Sequence, residues 1–208
     1  GFTRLGLVAQ IGSLPEGAPV PAGVTVLAPD KAADPASVPA LQAAWQRALT
    51  ERAAESRTGE LSLDAKRKTF AVATPRCLSV TLPKGGLKAG ALEVQDASCF
   101  QSVAAISLDG APVEQSASVL LLHLTNVMNS GMVMGNERWT LMRNNGHLPT
   151  LVKNGRATVS IATDKPFKVT ALKLDGAAAG EVAGKLAGGK FTFPVSTAAG
   201  TMAYHLTR

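Results

Sequence analysis

Aromatic residues are scarce. Six Phe, two Trp and one Tyr make up 4% of the 208 residues. A core with so few rings must be filled by Val, Leu, Ala and Ile, and a broad aromatic platform for stacking bases or sugars is excluded. Cysteine is sparser still: Cys77 and Cys99 lack the spacing of zinc ligands. They read as small buried apolar residues, with a disulfide between neighbouring strands or a reactive thiol as alternatives. His123, His147 and His205 are too dispersed to announce a metal set. No apolar run approaches the roughly 20 residues that span a bilayer. Gly1 is followed by no signal-peptide pattern and preceded by no initiator Met, so the chain reads as a mature product or a fragment that has lost any targeting segment.

Reaction motifs are missing too. There is no Gly-x-x-x-x-Gly-Lys-Ser/Thr loop, no Gly-x-Gly-x-x-Gly after a strand and no Gly-x-Ser-x-Gly elbow. Acidic residues number 15, and none forms an evident pair for general acid–base work. Asp109 and Asp175 each precede Gly, which turn geometry explains. Glu137 is the one carboxylate close to an aromatic, Trp139. No catalytic residue, metal ligand or cofactor is assigned.

The net charge is +6, but Lys and Arg are scattered. The densest run, Lys66-Arg67-Lys68, falls at an expected turn without aromatic interleaving, so nucleic acid is not an expected partner.

What is present is a long succession of short strand signals. One helix, over about 38–53, precedes them: Ser37 can cap it and Pro39 suits its first turn. Leu41, Ala44, Trp45, Ala48 and Leu49 then share a face, with Gln42, Arg47, Thr50 and Glu51 opposite. Short strands are expected at Leu5–Ile11 and Val24–Leu27 within a Pro-, Ala- and Gly-rich connector. From Glu60 onward strand signals recur about every ten residues, and Val159/Ile161 and Phe191/Phe193/Val195 alternate with polar residues. Lys84-Gly85-Gly86, Asp109-Gly110, Asn154-Gly155, Asp175-Gly176 and Gly188-Gly189 punctuate them as turns. Ala177–Gly189 reads as a loose hairpin or loop. Crossover helices are missing, so a parallel sheet is excluded. The expected fold is all-β, an antiparallel β-sandwich over 57–208 after a connector over 1–56 with one α-helix.

Between Ile106 and Val152, the strand Ser118–Leu124 leads into a polar loop, Asn126–Asn136, and on to Trp139, His147 and Pro149. The Asn side chains there suit the capping of backbone groups. The competing reading is sugar hydroxyl recognition by Asn126, Asn129 and Arg143, with Trp139 as the stacking surface.

Several segments, taken in order, resemble the C-terminal region of bacterial cellulase-like (β/α)8-barrel glycoside hydrolases. They are Thr58-Gly-Glu-Leu61, Asp64, Phe70-Ala-Val72 and Thr74-Pro75-Arg76, then Phe100 to Gly110 with Pro112 and Ser116. Leu120-Leu-Leu122, Asn129-Ser-Gly-Met132, Trp139, Gly146 and Pro149-Thr-Leu-Val152 follow, and then Leu174-Asp-Gly176 and Gly200-Thr-Met202 with Tyr204. The resemblance covers about 58–206. It implies a β-sandwich appended to a catalytic barrel that carries both glutamates of the reaction, in a secreted or periplasmic protein. Residues 1–56 would then be the barrel's end or a connector from it.

Three functions follow as expectations. The first is a non-catalytic accessory sandwich packing on its parent's catalytic barrel. The second is a carbohydrate-binding module with polysaccharide as partner. The third is a structural or adhesion sandwich unrelated to sugars. On the first, an apolar patch left by the barrel is expected at Leu5, Leu7, Trp45 and Leu49.

Overall fold

The computed structural model describes residues 14–22, 39–56, 58–137 and 140–208. The expected strands Leu5–Ile11 and Val24–Leu27 and the cap Ser37 lie outside them. The chain divides into two compact units, 1–71 and 72–208.

The first unit contains helix α1, Pro39–Glu51, and strands β1, Ala53–Glu55, and β2, Leu61–Asp64, which pair antiparallel. Trp45 is the buried anchor of α1, with Leu41 and Ala48 half-buried beside it. The expected apolar patch is corrected here. Trp45 is only 9% exposed, whereas Leu49 is 53% exposed. The Ala44–Leu49 side of the helix turns outward, because 3.6-residue periodicity lets only one stripe face inward, and Trp45 sets it. Leu5 and Leu7 lie outside the described residues.

Strand β3, Thr69–Ala73, leads into the second unit. Its strands are β4 (Cys77–Leu82), β5 (Gly85–Ala89), β6 (Leu92–Ala97), β7 (Gln101–Ser107) and β8 (Ser118–Leu124). Then come β9 (Val127–Ser130), β10 (Val133–Met134), β11 (Met142–Asn144), β12 (His147–Val152) and β13 (Arg156–Ala162). The last are β14 (Lys168–Leu172), β15 (Ala178–Val182), β16 (Lys185–Ala187), β17 (Lys190–Ser196) and β18 (Ala203–Thr207). One antiparallel sheet runs β4-β7-β8-β18-β14-β15, and a second runs β16-β17-β13-β6-β5. Among the described residues the architecture is the expected all-β sandwich with one helix, and the sheets do not close into a barrel.

Alternation builds the core. Leu78, Val80 and Leu82 of β4, Val103 and Ala105 of β7, and Val119 and Leu121 of β8 point inward from the first sheet. Leu92, Val94, Val159, Ile161, Phe191, Phe193 and Val195 answer from the second. The few rings are concentrated: Phe193 meets Tyr204 of the opposite sheet edge-on, with centroids 6.4 Å apart, and Phe167, Phe191 and Phe193 follow one another in contact. Tyr204 also donates its hydroxyl to the Ser196 carbonyl at 3.0 Å and accepts the Ser196 N–H at 2.9 Å. Burial pushes its phenol pKa up.

Some local expectations are corrected. At its described residues the expected strand Glu137–Met142 is not formed as such: Glu137 sits in a turn, Thr140 and Leu141 belong to no strand, and β11 begins only at Met142. Conversely Gly85-Gly86 opens strand β5, and Ala177–Gly189 contributes β15 and β16. These are sheet-edge strands, where little side-chain burial is required. Asn154-Gly155 does not close a hairpin, because β12 pairs with β9 whereas β13 pairs with β6 and β17. Cys77 and Cys99 are both free thiols, Cys99 being buried. Among the described residues no helix is long and apolar enough to cross a membrane.

Candidate functional site

The polar loop of the sequence is largely two small ribbons, β9–β12 and β10–β11, beyond the end of β8. Most of its polar side chains are engaged in holding this shape. Asn129 donates to the Asn145 carbonyl at 3.0 Å and accepts the Thr150 hydroxyl at 3.1 Å. Asn136 accepts the Thr140 N–H, Asn144 accepts the Gly146 N–H, and Ser130 donates to the Pro149 carbonyl. Gly146, at φ +71°, is where β12 folds back on β9: a Cβ there would lie 2.4 Å from the Ser130 carbonyl oxygen. The capping role of the asparagines is thus visible at Asn129, Asn136 and Asn144. Arg143 is exposed on β11 and passes beside Gly135. Trp139 lies outside the described residues.

Asn126 stands apart from this ribbon chemistry. It borders an open cavity of about 420 Å³ lined by Phe100, Gln101, Ser102, Leu124, Thr125, Asn126 and Lys153. Asn129 and Arg143 do not line it. The cavity sits at the ends of β7 and β8. Inward positions there are odd-numbered, such as Gln101, Val103, Leu121 and His123, so Phe100, Ser102 and Leu124 fall on the outward phase. Phe100 is accordingly 53% exposed.

The rim is pinned by the backbone. Lys153 donates its N–H to the Asn126 carbonyl at 2.8 Å. The Lys153 carbonyl accepts the hydroxyls of Thr125 at 2.5 Å and Thr197 at 2.9 Å. The neighbouring Gly155 is buried, and a Cβ there would lie 2.6 Å from the Thr125 methyl and 3.1 Å from both Cys99 Sγ and Gln101 Oε1.

The floor is a buried polar pair. Gln101 gives its amide N–H to the Arg156 carbonyl at 3.2 Å and faces His123 Nε2 with Oε1 at 2.7 Å. Its Oε1 must accept, so His123 carries its proton on Nε2. His123 is fully buried, and its Nδ1 has no hydrogen-bond partner. Burial pushes its pKa down to about 4, so the ring is neutral at pH 7.

At the other end of β7, Asp109 organises the β7–β8 connection. Its carboxylate accepts the hydroxyls of Ser107 and Ser116 and the N–H groups of Ala111 and Ala117. The Ser116 hydroxyl bond and the Ala117 N–H bond, the largest contributors, hold its pKa well below the ordinary carboxylate range. Among the described residues, no three His, Cys, Asp or Glu side chains gather as a metal set.

Sequence reasoning singled out Asn126 but missed Phe100, Gln101 and Lys153. Phe100 carried a readable signal, an aromatic in the outward phase of β7. Lys153 carried none, since its backbone is placed by donating to Asn126 and accepting from Thr125 and Thr197. Compared with protein-family models, with curated proteins and with solved structures, the chain matches none.

Proposed function

We propose that this chain is the non-catalytic accessory β-sandwich of a secreted or periplasmic glycoside hydrolase, packing on that enzyme's catalytic barrel and stabilising it. The observation that carries the reading is the apolar surface of the β9–β12 ribbon. Leu148 is 79% exposed, Leu151 54% and Val127 48%. A two-stranded ribbon is marginal by itself, and the register, with Leu151 opposite Met128 and Val152 opposite Val127, leaves apolar side chains on both of its faces, which favours a covering surface. The ordered segments over 58–206 supply the class of that partner. The test has two parts. The coding sequence ahead of Gly1 should specify a barrel with glutamates at two strand ends, and with that barrel present, amides of β9 and β12 should gain protection from hydrogen exchange. Hydrolysis of aryl glycosides by this chain alone would overturn the reading. Tandem sandwiches ahead of Gly1 would replace it with a structural or adhesion role.

A second reading, a carbohydrate-binding module, is favoured by the cavity at the ends of β7 and β8. An exposed ring stands there with an amide, hydroxyls and an ammonium group, the mixed apolar and polar lining that small-ligand sites use.

A further inference from the structure

We propose that the cavity between Phe100, Asn126 and Lys153 binds a carboxylated sugar ring, a hexuronate unit of an acidic polysaccharide. The inference rests on the carbohydrate-binding reading and names its ligand. Three observations carry it.

The first is an unmatched positive charge. The Lys153 ammonium makes no ion pair and no hydrogen bond among the described residues, whose ion pairs use Arg67, Lys168 and Lys190. No Asp or Glu lines the cavity. A carboxylate would give the ammonium a charge-assisted hydrogen bond, whereas a neutral sugar offers it only the weaker acceptor oxygens of its hydroxyls.

The second is the shape and chemistry of the rest of the lining. Phe100 and Leu124 offer an apolar wall, and the exposed ring suits the C–H face of a pyranose. The Asn126 side-chain amide has no partner among the described residues, leaving a donor and an acceptor for vicinal hydroxyls. The volume of about 420 Å³ lies within the roughly 300–1,000 Å³ usual for small-molecule sites. One cation beside one ring is too little for a phosphate backbone, which is held by clustered Lys and Arg.

The third is preorganisation. Lys153 and Asn126 are tied to each other through the backbone, and the hydroxyls of Thr125 and Thr197 fix the Lys153 carbonyl. Gln101, beneath them, is locked at both ends of its amide by Arg156 and His123. Little backbone ordering remains to be done on binding.

Titration calorimetry of the full chain with trigalacturonate, trimannuronate, cellotriose and sodium acetate tests this. A uronate trimer should bind, with cellotriose weaker by roughly tenfold or more. Lys153→Met should abolish that preference, Lys153→Arg should retain most of it, and Phe100→Ala should weaken both trimers. Both positions are exposed, and an unchanged melting temperature in each variant verifies an intact fold. Equal affinity for cellotriose would overturn the uronate assignment while leaving the carbohydrate-binding reading standing. Acetate competing as well as the trimers would reduce the site to a bare anion site and overturn it. Absence of binding by any saccharide would overturn both.

Discussion

Gln101 Oε1 lies 2.7 Å from His123 Nε2, and because the Gln101 amide N–H is given to Arg156, the imidazole is the donor. The second ring nitrogen, Nδ1, then faces the core with its lone pair unmatched. Protonating it would place a charge and an unpartnered N–H in the interior. Acid sensitivity follows. The native pKa is pushed from 6.5 to about 4, so the unfolded chain takes up the proton first as pH falls. Above pH 6.5 its titration has no effect on stability. Between pH 6.5 and about 4 stability declines, by about 3 kcal/mol in all, and below that the loss levels off. Urea unfolding at pH 7.5 and pH 5 should show the decline, and His123→Gln, which retains a donor toward Gln101, should flatten it. Equal declines in the two proteins would place its source elsewhere.

Gly155 is expected to tolerate no side chain. Its added Cβ would press on Thr125, Cys99 and Gln101 at 2.6–3.1 Å. Gly155→Ala should lower stability by about 1–3 kcal/mol, as overpacking does. A melting temperature equal to that of the parent protein would contradict this packing.

The Asp109 carboxylate is expected to tie down the β7–β8 connection chiefly in its ionised form, since all four of its partners donate to it. Its native pKa is lowered, so the contribution is present above the unfolded pKa and is lost only as pH falls through the native one. Asp109→Asn places an amide N–H against one of those donors. Hydrogen exchange at Ala111 and Ala117 should quicken in the variant at pH 7 while the β13 and β17 amides keep their protection. Unchanged exchange at both alanines would refute the assignment.

Tyr204→Phe removes two hydrogen bonds to Ser196 and leaves a part-buried N–H and carbonyl without that partner. A loss of about 1–3 kcal/mol is expected in denaturant unfolding. The ring contact with Phe193 should survive, so far-ultraviolet dichroism should change little. A loss under half that range would mean that water replaces the hydroxyl.

The central strands were legible because burial on one face imposes a period of two. β8, β13 and β17 have the alternating residues expected of them. β5, β15 and β16 were hidden, being edge strands built from Gly, Ala and Lys that need no apolar face. The β9–β12 ribbon was hidden for a related reason: its residues are mostly exposed, so no burial pattern marks it. Asn154-Gly155 looked like a turn, yet Gly155 is required by close packing and not by a left-handed backbone. In the cavity, Asn126 could be found from composition, whereas Lys153 depends on partners 28 and 44 residues away in sequence.

The place of β18 between β8 and β14 has a consequence for synthesis. Strand β8 emerges from the ribosome some eighty residues before residues 203–207 (roughly five to fifteen seconds earlier at usual elongation rates). Until then β8 and β14 each present an unpaired edge, Leu-rich in the case of β8. The nascent sandwich stays open along that seam, and holdase chaperones that bind extended apolar segments have their widest opportunity at Ser118–Leu124.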